Sequence, residues 1–183
     1  MRILCVVLAL ILNTAMAAEL AGVKIADQVE VGDAVLVLNG AGLRKKYFVK
    51  VYVGALYLPK KTTISDQAIH MAGARQINMH FLRDVEAGKI TQGWTEGFTK
   101  NAEPGDLELL QDKLNEFNAM FEDMSEGDAI LLQYEPGLGT RVAVRDEHKG
   151  IIPGEEFMQM LLSVWLGEHP ADEHLKQAML GKD

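Results

Sequence analysis

Arg44, Lys50 and Tyr52 are the residues of this chain whose types and spacing suggest chemistry. They sit in "GLRKKYFVKVYVGALYL", where three consecutive cations run into aromatic and β-branched residues. In an extended strand alternate side chains share a face. Lys50 and Tyr52 then point with Phe48, Gly54, Leu56 and Leu58, and Arg44 joins them if no bulge intervenes. That face runs from cation through phenol to leucine. The opposite face carries Tyr47, Val49, Val51, Val53, Ala55 and Tyr57 and is expected to meet the core. Two readings of the first face stand side by side. In one it faces solvent, and Arg44 and Lys50 are surface charges. In the other it lines an amphipathic cleft, where a guanidinium fork holds a carboxylate or phenolate and stays charged when half-buried. Leu56 and Leu58 would there contact an apolar tail.

Other chemistry finds little support. Ser65, Ser125 and Ser163 are the only serines, and none sits in a G-x-S-x-G elbow. The five histidines do not cluster, and His169 and His174 are five apart, so no metal site is expected. "GAG" at 40–42 lacks the third glycine of a dinucleotide fingerprint and leads into a strand instead of a helix. No cofactor is therefore expected, and the glycines are read as a tight turn between strands. The net charge of −8 argues against nucleic acid as a partner.

The elements that must position Arg44 and Tyr52 follow from periodicity. "GVKI" and "AVLVLNG", residues 47–58 and residues 76–82 read as strands. Residues 127–147 read as a hairpin whose turn comes from Pro136, Gly137 and Gly139. Residues 86–100 place Ile90, Trp94 and Phe98 on one helical face. Residues 107–121 do the same with Leu107, Leu110, Leu114, Phe117 and Phe121. "GEEFMQMLLSVWLG" is apolar nearly all round and reads as a buried helix closed by Gly167; a short helix follows from about 171 to 180. Strands, helices, a hairpin and helices in that order indicate an α+β fold, with helices on one face of a mostly antiparallel sheet.

The chain has 183 residues, 48% of them hydrophobic and 24% charged, which suits one globular domain. Its start, "MRILCVVLALILNTAMA", has a cation, an apolar run from Ile3 to Leu12 and an Ala15-Met16-Ala17 site, the pattern of a secretory signal peptide. The run is shorter than the roughly 20 residues a membrane helix needs, so no stable span is expected after cleavage. Residues 1–17 are thus read as a signal peptide and 18–183 as a single domain, periplasmic or secreted. Cleavage removes Cys5, the only cysteine.

Taken with their order, the motifs resemble the chalcone isomerase family. "GAGLR…FVKVYVGALYL" is similar to its glycine–arginine–strand segment, "GDAILLQYEPGLGTRVAV" stands at its hairpin, and "LGEHPADEHLKQAML" is similar to its closing helix pair. The chain looks most like the bacterial, secreted branch. The resemblance implies an open-faced β-sandwich with a ligand cleft between a large antiparallel sheet and its helices. It also implies that Arg44 matches the arginine that binds the flavonoid phenolate in the plant enzymes. A threonine on the following strand is matched by Tyr52, and a late threonine by Val164. The family's tyrosine and asparagine on the mid-chain helix have no counterpart in residues 83–100. Chalcone turnover is therefore not expected. Fatty-acid-binding members use the same arginine for a carboxylate, which implies a binder of a small amphipathic acid such as a fatty acid, with Arg44 on the head group and Tyr52 or Lys50 assisting. The alternative is an isomerase or lyase of chalcone isomerase type, with Arg44 as electrostatic catalyst and Tyr52 as proton donor. A structural protein whose cleft is filled by its own side chains is a third option.

The mature chain is expected to begin at Ala18 or one residue later. N-terminal sequencing of protein recovered from the cell envelope checks this, and a mature chain that starts at Met1 would refute it.

Overall fold

The computed structural model describes residues 18–182, and the expected signal peptide lies outside the described residues. Seven strands form one antiparallel meander in which every strand pairs with its neighbour in sequence. They are β3 (Gln28–Val31), β4 (Ala34–Lys46), β5 (Val49–Leu58), β6 (Arg75–Phe81), β7 (Ala129–Glu135), β8 (Gly139–Val144) and β9 (Glu147–Ile152). A two-stranded ribbon, β1 (Ala18–Leu20) with β2 (Val23–Ile25), precedes them. The helices are α1 (Ser65–Ile69), α2 (Ala87–Asn101), α3 (Asp106–Asn118), α4 (Glu155–Leu166) and α5 (Glu173–Met179). This is the expected α+β fold, an open-faced β-sandwich with a large antiparallel sheet backed by helices.

Alternation explains how the sheet meets the helices. Ile77, Met79 and Phe81 of β6, Ile130 and Leu132 of β7, and Val142 and Val144 of β8 are buried in one apolar cluster with the helices. The helices contribute the faces read from their periodicity: Ile90, Trp94 and Phe98 of α2, and Leu110, Leu114 and Phe117 of α3. α4 is buried nearly all round, as its composition requires. Aromatic edges lock these layers: Trp94 lies 5.4 Å from Trp165 and 5.5 Å from Phe117, centroid to centroid, separations at which edge-to-face pairs attract. A second, smaller cluster covers the other face of β5. There Val53, Ala55 and Tyr57 pack with Ile25, Val31 and Leu36, and Tyr57 Oη donates to the Ala26 carbonyl at 3.0 Å. Every residue from Tyr52 to Leu58 is buried, so over this length the solvent-facing reading of the Tyr52 face does not hold.

Gly40 and Gly42 do not form a turn. They lie inside the 13-residue strand β4, where α5 presses onto the sheet. A Cβ on Gly42 would come within 2.6 Å of Ala178 Cβ, one on Gly54 within 3.3 Å of Met179 Cε, and one on Gly40 would strike the Ala178 carbonyl. The glycines serve close backbone approach instead of chain reversal. Next to them, Asn39 has no partner on β5 and forms a bulge. Its buried amide donates to the Met179 carbonyl at 2.7 Å and to the Thr62 carbonyl at 3.0 Å, and accepts from Thr62 N at 2.7 Å. One side chain thereby satisfies a carbonyl at the end of α5 that the helix cannot satisfy itself.

Gly40→Ala is expected to destabilise the fold by about 1–3 kcal/mol or more, because the backbone of α5 must move to admit one methyl. Gly93→Ala, at an exposed position of α2 where a Cβ meets nothing within 4 Å, is expected to stabilise it by roughly 0.4–1 kcal/mol. Urea denaturation of the two variants distinguishes close approach from flexibility, since two stabilising or two neutral substitutions would contradict the packing described.

Candidate functional site

Arg44 and Tyr52 stand directly opposite each other on β4 and β5. Directly opposed residues of an antiparallel pair share a face. Tyr52 belongs to the cluster beneath the helices, so Arg44 points toward the helices as well. The strand then departs from simple alternation. Arg44 pairs with Tyr52 but Lys45 pairs with Lys50, which leaves Val51 as an extra residue on β5. The bulge reverses the sense of the alternation, so Lys50 sits across from Lys45 and is exposed. The structure brings Arg44 and Tyr52 together and leaves Lys50 apart from them.

Arg44 is half-buried, with 22% of its side chain exposed, and meets the Asp172 carboxylate at 3.4 Å. It also donates to the Lys45 carbonyl. Asp172 is held on both sides. One oxygen accepts from Leu175 N at 3.1 Å and so caps the N-terminus of α5. The other takes Lys45 N at 3.0 Å and the guanidinium. The carboxylate therefore fastens the start of α5 to the end of β4.

Tyr52 is 7% exposed, and its oxygen accepts from Trp165 Nε1 at 2.9 Å. Burial pushes its phenol from the ordinary value of 10 up to about 12, against the smaller opposing effects of the Trp165 hydrogen bond and the Arg44 charge. Beyond it, Trp94 Nε1 is buried without a partner. The space between sheet and helices is thus occupied by Tyr52, Phe81, Trp94, Trp165, Leu175 and Met179. A hollow of about 200 Å³ opens elsewhere, on the face of the sheet turned from the helices, lined by Glu30, Gly32, Gln133, Glu135 and Arg141 among others. Among the described residues no group of three or more His, Asp or Glu is placed to hold a metal ion.

A family model described as chalcone isomerase-like matches residues 17–181. The chain belongs to the chalcone isomerase-like family. Among solved structures, a fatty-acid binding protein of Arabidopsis thaliana superimposes with a TM-score of 0.66 at 18% identity, covering 87% of this chain and 92% of its own. At that identity the likeness establishes a shared fold. A comparison with curated protein sequences found no match.

The family's closing motif has a physical explanation in this chain. Lys176 donates to the Gly167 carbonyl at 2.7 Å and so satisfies the end of α4. Leu175 covers Gly42 and Gly54, and Asp172 caps α5. Val164, in the place of the family's late threonine, is packed onto α2, where a Cβ on Gly97 would lie 2.8 Å from its methyls. Three residues that fasten the sheet to the helices carry no strong pattern along the chain. Trp165 and Asp172 lie more than a hundred residues from the strand they serve, though Asp172 before "EHLK" carries a helix N-cap signature. Arg75 is wholly buried; it donates to the Ile69 carbonyl at 2.6 Å and to Glu155 at 2.6 Å, and lies 4.6 Å over the Tyr134 ring. It ties α1 and α4 to the sheet, away from Arg44.

The Tyr52 phenol carries a pH signature. Its folded value lies above its unfolded one, so its contribution is whole below pH 10 and is lost as pH rises toward about 12. In that interval the unfolded chain has released the proton while the folded chain retains it, and stability falls by roughly 1.4 kcal/mol per pH unit from this group. Tyr52→Phe is expected to cost about 1–3 kcal/mol near neutral pH, through the indole left unpaired. Its gap to wild type should narrow as pH climbs through that interval. Stability curves that stay parallel would show that Tyr52 is solvated.

Proposed function

We propose that this protein is a non-catalytic binder of a carboxylate-bearing amphipath, a fatty acid or similar, exported to the periplasm or secreted. The ligand is taken up between sheet and helices with Arg44 on its head group. The observation that carries this reading is that Arg44 already holds a carboxylate, that of Asp172. A half-buried guanidinium with an anion from its own chain is a site that an external anion of the same chemistry suits. Tyr52, on the same face, supplies a phenol next to that head group. The unpaired Trp94 Nε1 offers a further donor in the cleft. The likeness in fold to a fatty-acid binding protein supports a lipid ligand. No helix among the described residues is long and apolar enough to cross a membrane.

Asp172 and the ligand compete for Arg44 in this reading, and the tail displaces side chains of α5 from the sheet. No observation favours the isomerase or lyase reading. It asks Tyr52 for a proton, and burial makes that phenol a weaker acid than free tyrosine. Lys50 takes no part, because the bulge turns it from the cleft.

Titration calorimetry with a long-chain fatty acid at fixed salt tests the assignment. Arg44→Ala is expected to weaken binding about ten- to a hundredfold, the value of a half-buried charged hydrogen bond. Asp172→Asn keeps a good helix cap and removes the competing charge, and is expected to tighten binding about tenfold. Lys46→Ala is expected to change little, as exposed charges do. Equal losses from Arg44→Ala and Lys46→Ala, or no gain from Asp172→Asn, would overturn the reading.

A further inference from the structure

The β4–β5 hairpin ends in two residues that no packing explains. Tyr47 is 89% exposed, Phe48 fully exposed and Val49 45% exposed. Lys46 pairs with Val49, so Tyr47 and Phe48 form the whole loop. Two-residue loops normally use glycine, asparagine or aspartate where φ is positive. Here a tyrosine occupies that position at φ 58°. A bulky residue in left-handed backbone is an outlier, and outliers of this kind gather at functional places. The ring gains nothing from the folded chain in return, being almost wholly in solvent.

The charges that the hairpin itself carries are of one sign. Lys45, Lys46 and Lys50 are all exposed within a residue or two of the two rings, and residues 34–65 contain no Asp or Glu. Arg44 is neutralised by Asp172, so the lysines are the tip's free cations. From α2, Glu96 is near enough to sense Lys46. This cationic end belongs to a chain whose net charge is −8. Local charge of the opposite sign to the whole orients a molecule in a field, with the tip leading.

We propose that the Tyr47–Phe48 tip is a docking point for an anionic lipid surface. The rings enter the interfacial zone, where amphipathic aromatics are favoured. Lys45, Lys46 and Lys50 lie against the head groups, their stems along the interface and their ammonium groups toward the phosphates. A lipid surface suits the tip better than a protein partner does. A protruding two-residue point offers far less area than a specific protein interface buries, whereas a bilayer admits a point. The assignment does not depend on what the Arg44 cleft binds.

The test uses the mature chain, residues 18–183, and vesicles of phosphatidylglycerol with phosphatidylcholine, against vesicles of phosphatidylcholine alone. Co-sedimentation is expected with the anionic vesicles and is expected to fade as salt rises. Phe48→Ser is expected to weaken partitioning about tenfold, as loss of one inserted ring would, and Lys45→Ala with Lys46→Ala and Lys50→Ala about a hundredfold. A second readout is local to the tip. Trp94 and Trp165 are both buried, so in Phe48→Trp the new indole alone starts in water. Its emission is expected to shift to the blue on anionic vesicles and stay put on neutral ones. Binding unaffected by Phe48→Ser, an unmoved Phe48→Trp emission, or equal binding to both vesicle types would overturn the proposal. So would a concentration-dependent dimer in sedimentation velocity that Phe48→Ser abolishes, since the rings would then be covered by a second copy.

Discussion

Helix α5 lies against β4 and β5 at the places where those strands have no side chains. Gly40, Gly42 and Gly54 let the backbone of a seven-residue helix descend onto the sheet, and a single methyl at the first two would meet Ala178. So short a helix is not stable by its own propensity, and packing must hold it. Its two ends are therefore fixed by polar groups from the sheet side. Asn39, pushed out of register by a bulge, takes the carbonyl of Met179, while Asp172 at the start is clasped by Lys45 and Arg44. The bulge, the glycines and the Arg44–Asp172 pair are parts of one arrangement. They set the height of α5, and that height decides how much room is left beneath it.

That room is taken up by side chains. Leu175 and Met179 reach the sheet, and Tyr52 and Trp165 join across the interior through a single hydrogen bond. A cleft closed in this way is stable without a ligand, because its apolar surface is already out of water. A ligand gains only the difference between the contacts it makes and those it displaces. On the proposed reading, such a site would select for a head group that matches Arg44 and against ligands that offer apolar area alone. The same closure works against the acid–base chemistry that a phenol and a guanidinium suggest when read along a strand. Tyr52 is desolvated, and its oxygen is already engaged by an indole.

The helices and most strands were legible because their signals are local. Ile90, Trp94 and Phe98 follow the helical period, Ile77, Met79 and Phe81 follow the strand period, and both sets are buried as that requires. The structure departs from the sequence pattern where a local signal has two physical causes. Glycine at 40 and 42 marks either chain reversal or close approach, and the approaching helix lies more than 130 residues on. The actual reversal, at Tyr47–Phe48, carries two residues that favour strands and no usual turn former. Unbroken alternation puts Lys50 beside Tyr52, and the bulge at Val51 breaks it. Arg44 does share the Tyr52 face, but through that same bulge: after a two-residue loop an unbroken register would set Arg44 opposite Val51, and the extra residue sets it opposite Tyr52. No pattern along the chain links Arg44 to its partner Asp172, 128 residues on.

The fold holds two arginines away from bulk water, and the difference between them bears on which one a ligand can use. Arg75 has no exposed side-chain surface, and its two terminal nitrogens are spent at 2.6 Å on Ile69 and Glu155. Breaking either bond would strand a charge in the core, which is strongly destabilising, so this guanidinium is a structural fastening. Arg44 keeps 22% of its side chain in contact with solvent, and its carboxylate lies at 3.4 Å. Water can reach the charge, so exchanging one carboxylate for another strands nothing. Asp172 meanwhile retains Lys45 N and Leu175 N if the guanidinium leaves. Of these two cations only Arg44 can change partners while both members of the original pair remain satisfied, and that is the physical reason the proposed anion site is put at Arg44 and not at Arg75.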